Sequence, residues 1–424
     1  MKRIFQNTIK RTLKPRIVQN QLKRNYQTLS DLQKQDFNEF QNELRDTVQQ
    51  FAEAKIKPIA AQMDQTDKIP DMKELWQEMG ELGLHGITVQ EKDGGLDLGI
   101  LDHVIVVEEL SRYSAAVGVS YGAHSNLCID RIAKVGNKEQ KDKYLPKLLS
   151  GEHIGALAMS EPAAGSDITS MTLKAKEDDE GNFILNGSKF WITNGAVADV
   201  TVVYAKTGGG KYGITAFIVE KDFEGFSVGQ KIDKCGIRGS PTSELVFENC
   251  KVPKENVLGG IDKGVHVLMS GLDYERIIAA GGSLGIMQGC IDTVIPYIHE
   301  RKQFGQEIAN FQLMQGRVAD MYTNLNACRY YVYGVARACD RLEEGGSSLP
   351  LRKDAAGCLL YASQKATDVA GEACVALGGM GYTKEFPVEK MWRDAKIFEI
   401  FAGTVDIRKI LLAGEISQDY RRNH

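Results

Sequence analysis

The 424-residue sequence predicts an α+β fold that is mainly α. Three parts are expected: an N-terminal α-helical domain over 31–156, a central β domain over 157–260 and a C-terminal four-helix bundle over 261–424. Apolar residues recur at helical spacing on both sides of a middle stretch, which instead carries short β-type runs separated by turn residues. The segments after Gly264 are long and closely linked, which favours antiparallel packing.

Before Asp31 there is no acidic residue. Lys2, Arg3, Lys10, Arg11, Lys14, Arg16, Lys23 and Arg24 are interleaved with Ile4, Phe5, Ile9, Leu13, Ile17, Val18 and Leu22. A basic, amphipathic, acid-free start reads as a mitochondrial transit peptide over 1–28, with a disordered basic tail as the alternative.

In the first domain Phe37, Phe40, Leu44, Val48 and Phe51 hold a helix period that Pro58 ends or bends. Met72, Leu75, Trp76, Met79 and Leu82 form a second stripe, stopped by Gly83. Gly94-Gly95 and Gly99 mark a loop, and helices are expected over Leu101–Leu110, Tyr121–Ala133 and Lys138–Leu149.

The character changes near Gly155. Ile154–Met159 is an apolar run, followed by Phe183–Leu185, Val200–Ala205, Ile214–Val219 and Leu245–Phe247. Asn186-Gly187 and Gly208-Gly209-Gly210 between these runs predict hairpins or loops. Beyond Gly264, helices are expected over 265–300, 311–344, 351–376 and 387–413, with Gly345–Ser348 as a loop.

Hydrophobic content of 43% suits a globular protein with sizeable cores. A net charge of −4 gives no argument for nucleic acid as a partner. No run of about 18 uncharged apolar residues predicts a membrane span. The eight cysteines form no CxxC pair, so neither a zinc ribbon nor a dithiol redox site is expected, and no metal site is predicted.

One acid stands out. In Leu268–Gly282, read LMSGLDYERIIAAGG, the residues Leu268, Leu272, Glu275 and Ala279 share a helix face. Gly271, Leu272, Ile278 and Ala279 lie one turn from Glu275, so its face is apolar and small. A carboxylate there loses solvation and becomes a candidate general base. The alternative is a Glu that pairs with a cation and only holds helices together. Other motifs are LAMSEPAAGSD (Leu157–Asp167), FWITNG (Phe190–Gly195), RKQFG (Arg301–Gly305), FQLMQ (Phe311–Gln315), LGGMGY (Leu377–Tyr382) and EIFAGT (Glu399–Thr404). Loops of Ser, Pro and Gly expose backbone N–H groups to a polar or phosphate-bearing ligand, and Trp191 offers a flat wall. Each is weak alone.

In this order the motifs resemble those of the acyl-CoA dehydrogenase family, over about residues 35–424. The resemblance implies the three-part fold above, FAD as cofactor, an acyl-CoA substrate, electron-transfer flavoprotein as electron acceptor, and a homotetramer in which the flavin site spans subunits. It implies that Leu157, Ala158, Met159, Ser160 and Glu161 line the flavin, as do Pro162, Ala163, Ala164, Gly165 and Ser166, with Ser166 also near substrate. Trp191, Ile192 and Thr193 would pack on the isoalloxazine. Arg301 and Gln312 would reach the pyrophosphate and adenine of a neighbouring subunit's FAD, as would Val375, Ala376, Leu377, Gly378 and Gly379. Thr404, Val405 and Asp406 would close over the cofactor.

Most members place the catalytic Glu just before the Gly of the xGT motif, where this chain has Ala402. A methyl group accepts no proton. In a branch that acts on short branched acyl chains the base sits on the first helix of the bundle, at the position of Glu275. The resemblance therefore implies that Glu275 takes the α proton while the β hydride passes to flavin N5. Asp273, Tyr274, Arg276, Ala402 and Gly403 would flank the substrate. Lys211 and Tyr212 would lie near the CoA, and His266 stands where that branch usually has Tyr. The alternatives are a dehydrogenase of the family acting on another short or branched acyl chain, an oxidase of the same family, and a non-catalytic flavin-binding subunit.

Overall fold

The computed structural model describes residues 36–208, 210, 212–344 and 351–423. The expected transit segment 1–28, Lys211 and the Gly345–Ser348 loop lie outside these residues.

Helix α1 (Glu39–Phe51) starts in a capping box between Asn38 and Gln41 and buries Leu44, Val48 and Phe51, as its stripe predicts. A π-helical turn (Ala52–Ile56) and a 3-10 turn (Lys57–Ile59) follow where Pro58 removes a donor. Then come α2 (Ala60–Thr66), α3 (Met72–Glu81) and α4 (Ile100–Tyr113). The expected Tyr121–Ala133 helix is divided among α5 (Ala115–Gly122), a π-helical stretch (Ala123–Ile129) and α6 (Asp130–Val135). Helix α7 (Lys138–Leu149) closes this region.

The middle of the chain forms an eight-stranded, mostly antiparallel sheet in the order β6-β7-β3-β2-β4-β5-β8, with β1 parallel to β4. Its strands are β1 (Gly155–Ala158), β2 (Lys174–Glu177), β3 (Phe183–Thr193), β4 (Val200–Lys206), β5 (Ile214–Glu220), β6 (Phe226–Lys231), β7 (Thr242–Val252) and β8 (Val257–Leu258). Asn186-Gly187 is not a hairpin turn. β3 runs through it, and the pairing with β7 shifts register between Leu185 and Gly187. Gly187 at φ 135° relieves that bulge, and the Asn186 side chain accepts from the Asn249 N–H at 2.8 Å. A bulge and a turn share the same residue preferences, so the local signal could not separate them.

Beyond the sheet runs α8 (Gly264–Glu300), followed by a small hairpin of β9 (Lys302–Gln303) and β10 (Gln306–Glu307). α9 (Gln312–Glu344) and α10 (Arg352–Ala376) come next. The last expected helix, 387–413, is broken into α11 (Val388–Ala395) and α12 (Val405–Asn423). Ala402 at φ 55° and Gly403 at φ 84° are left-handed, which no α-helix continues through. α8 is apolar and long enough to cross a membrane, but 83% of its most apolar window is buried within the protein, so it is a core helix.

Glycines let α8 approach α4 closely: a Cβ at Gly281 would lie 2.8 Å from the Val104 carbonyl oxygen. The same contact is tied by charge. Arg329 on α9 donates to Glu108 on α4 at 2.6 and 2.8 Å and to Gln288 on α8 at 2.7 Å.

Three buried histidines gather around Tyr121, whose ring meets His85 and His103, with His124 edge-on to His85. Burial pushes His85 and His103 down to about 4 and His124 well below its ordinary value. Each is protonated in the unfolded chain below pH 6.5 but resists protonation when folded. Stability is therefore expected to fall as pH drops from 6.5 toward 4. His103 has no partner at either ring nitrogen among the described residues, so His103→Gln should flatten this acid limb in a plot of Tm against pH.

Candidate active site

The first turns of α8 are anchored by Val267 and Leu268, both buried against the sheet. That anchoring turns the Glu275 face toward the junction of α6, β4 and the loop before α12. Glu275 is part-buried. Its carboxyl is raised above the usual value by burial, while Arg276, Arg131 and Arg408 pull the other way. No described residue gives it a hydrogen bond. A desolvated carboxylate with no neighbour consuming its lone pairs can accept a proton.

The adjacent loop is held by two buried arginines. Arg276 donates to Asp273 at 2.7 Å and to the Ala402 carbonyl at 3.4 Å. Arg408 donates to the carbonyls of Phe398 at 2.6 Å, Phe401 at 2.7 Å and Leu359 at 3.4 Å, and to Ser363 at 3.0 Å. The left-handed pair Ala402-Gly403 is thereby fixed beside the Glu275 turn. Thr404 caps the next helix, accepting from the Ile407 N–H at 3.3 Å. Arg408 carries this loop; its signal in the sequence is an arginine set between Ile407 and the apolar Ile410–Leu412 run at the start of α12.

A second cluster of predicted residues surrounds the ends of β1 and β3. Leu157, Met159 and Ser160 are part-buried, and Pro162, Ala163, Gly165 and Ser166 form an exposed loop. Trp191 is 59% exposed at φ 65°, on a β3 bulge between Lys189 and Ile192. A large ring in left-handed backbone and turned to solvent is strained and unburied, a combination that clusters at functional sites. Thr193 is part-buried beside it.

Not all predicted residues face outward. The side chains of Ala158 and Ile192 are packed in the sheet core, and Ala164 is buried. Glu161 accepts from the Thr172 and Leu173 N–H groups, at 2.5 and 2.9 Å, and from Lys189 at 3.0 Å. Its side chain is spent inside the β domain. Asp273 pairs with Arg276 and, at 3.7 Å, with Arg352. Tyr274 lies under Lys134, 4.0 Å from its ring centroid. Tyr212 and His266 are exposed.

The remaining predicted residues lie elsewhere. Arg301 follows the end of α8, and 25 residues of helix place it roughly 38 Å along the axis from Glu275. Arg301, Gln312, Val375, Gly378 and Gly379 are exposed, whereas Val405, part-buried, and Asp406, exposed, follow Thr404 beside the Glu275 turn. Ala376 and Leu377 belong to the chain's own core. One chain therefore presents two separate groups of predicted cofactor residues.

Comparison with known proteins places the chain by family and fold. The acyl-CoA dehydrogenase N-terminal, middle and C-terminal domain profiles match residues 38–152, 156–250 and 262–416. Isovaleryl-CoA dehydrogenase, mitochondrial, of Pongo abelii is 54% identical over 387 residues, 90% of each chain. 2-Methylacyl-CoA dehydrogenase, mitochondrial, of Solanum tuberosum is 53% identical over 378 residues, 89% of this chain and 90% of that one. The solved structure of an acyl-CoA dehydrogenase complexed with FAD from Bacillus anthracis superimposes with a TM-score of 0.85 at 32% identity, over 92% of this chain and 68% of the other. With all three domain profiles matched in order on the fold described above, the chain belongs to the acyl-CoA dehydrogenase family.

Proposed function

We propose that this protein catalyses FAD-dependent α,β-dehydrogenation of a short branched acyl-CoA, isovaleryl-CoA to 3-methylcrotonyl-CoA, with Glu275 as the base. The observation that carries this reading is the pairing of Glu275 with Ala402. The carboxylate is desolvated on α8, and the loop seat beside it holds a methyl. The α proton of a thioester is a weak acid, so the developing enolate needs donors at its oxygen. Backbone N–H groups of the Ala402-Gly403 turn, fixed through Arg276 and Arg408, are suited to that role. Bound FAD supplies the acceptor for the hydride.

Trp191, Thr193 and the Pro162–Ser166 loop would hold the flavin, and Thr404, Val405 and Asp406 would close over it. Arg301, roughly 38 Å along α8 from Glu275, would serve a second subunit's cofactor, and Gln312 and Val375–Gly379 would join it there. Membership of the acyl-CoA dehydrogenase family supports a homotetramer that passes electrons to electron-transfer flavoprotein. The curated relatives of Pongo abelii and Solanum tuberosum are described as mitochondrial. That description and the basic start of the chain support a matrix location and a place in leucine breakdown.

The 53% identity to a 2-methylacyl-CoA dehydrogenase favours one second reading, a 2-methyl-branched substrate. Anaerobic bleaching of the bound flavin by isovaleryl-, 2-methylbutyryl-, butyryl- and octanoyl-CoA separates them. Fastest bleaching by isovaleryl-CoA is expected. Preference for a straight chain overturns the branched-chain proposal, and preference for 2-methylbutyryl-CoA selects the second reading.

A further inference from the structure

Beneath the turn that carries Glu275 lies a buried charge that the reading above does not use. Arg131, on α6, is 2% exposed. Its guanidinium pairs with Asp130 and donates to Ser270 Oγ at 3.0 Å. It lies flat against the backbone of α8 at Gly271. A Cβ there would stand 2.5 Å from the guanidinium carbon and 2.5 Å from one of its nitrogens. Gly271 is thus the residue that admits the arginine.

Gly271 and Glu275 are four apart on α8, about 6 Å between neighbouring turns. Helical side chains lean toward the N-terminus, so the Glu275 side chain lies back over Gly271 and toward the guanidinium under it. Tyr204 on β4 comes to the same place. It is fully buried, its hydroxyl has no partner among the described residues, and it senses both Arg131 and Glu275.

We propose that Arg131 is a positioning residue for the base: its guanidinium is the charged floor over which the Glu275 carboxylate is held ready for a proton. This rests on Glu275 being that base. The other groups facing Glu275 are already engaged. Arg276, on its own helix, serves Asp273 and the Ala402 carbonyl, and Arg408, on α12, serves four acceptors. Tyr204, on β4, is neutral, its ionisation pushed up by burial. Asp130 does not cancel Arg131 alone, because it is shared with Lys134 at 3.5 Å. The three-residue cluster keeps one net positive charge.

A cation there favours the ionised carboxylate, against the burial that disfavours it. Without it the base should stay protonated to higher pH. In the FAD-loaded enzyme Arg131→Gln is expected to lower kcat about tenfold on the acidic limb, a shift of about one pH unit. Turnover should recover at alkaline pH with KM for the acyl-CoA within about twofold. Arg131→Lys should restore the limb, since charge is what is needed. Should Arg131→Gln not fold, Asp130→Asn/Arg131→Gln/Lys134→Gln is the variant to read, since it leaves the cluster with no net charge.

A second readout needs no turnover. The protonated-carboxyl infrared band that is absent from Glu275→Gln should titrate at higher pH once Arg131 is replaced. An unmoved limb and an unmoved band overturn the proposal. Retained turnover in Glu275→Gln would instead remove the base assignment itself, so the two failures are distinguishable.

Discussion

Glu275→Gln is expected to fold, to bind flavin and to lose about 10³-fold in kcat, within the range by which a positioned general base contributes. The amide keeps the size of the side chain on α8 but accepts no proton. Packing should be unaffected, because the native carboxylate receives no hydrogen bond from a described residue. The measurement is turnover with an artificial electron acceptor at saturating acyl-CoA, alongside the flavin-to-protein absorbance ratio. A kcat within tenfold of the parent would show that another group takes the proton. The neighbouring loop offers a complement. Ala402 already holds φ 55°, so a longer side chain there adds little backbone strain to what alanine bears. Glu275→Gln/Ala402→Glu should regain about tenfold or more over the single variant, because the carbonyl of residue 402 is tied to Arg276 at the Glu275 turn. Failure of that rescue with the flavin retained would mean that the two positions do not view the same carbon.

Lys189→Met should destabilise the β domain by about 3–5 kcal/mol, the usual cost of removing one partner from a buried ion pair. Lys189 is fully buried and donates to Glu161 at 3.0 Å and to the Met159 carbonyl at 2.9 Å. Burial pushes the Glu161 carboxyl up, but Lys189 and the Thr172 and Leu173 N–H groups more than offset this and hold it below the ordinary value. Without the ammonium, Glu161 keeps its N–H donors but not its counter-charge. The loop after β1, which hangs on Glu161 through the paired Glu161 and Ala164 backbones, should loosen with it. Urea unfolding measures the first effect, and loss of flavin at equal protein concentration measures the second. Glu161→Gln should also destabilise, because both carboxylate oxygens accept N–H bonds and the amide NH2 would face one of those donors while Lys189 loses its counter-charge. A Lys189→Met protein as stable as the parent would remove the pair from the structure's supports.

Helix-period stripes are local, so Leu44, Val48 and Phe51, or Leu75, Trp76 and Met79, could be placed on buried faces from spacing alone. Glu275 was legible for the same reason: its apolar surroundings on α8 lie within one turn. The loop motifs were legible as motifs, though their side chains were not. Glu161 reads as part of a flavin loop until its partners from β2 and β3 are seen, and Ile192 reads as a ring contact until its core neighbours are seen.

The sequence by itself determined the three-part order, the long bundle helices and the apolar face of the candidate base, because each depends on residues close together along the chain, while the meaning of Ala402 came from the resemblance to the family. Tertiary structure alone decided that Asn186-Gly187 is a bulge and that the last helix breaks to form the Ala402-Gly403 turn. It alone brings Arg131, Tyr204 and Arg408 to bear on one carboxylate. These rest on contacts between residues tens to hundreds of positions apart, and the energy of a buried charge is set by what packs against it in space.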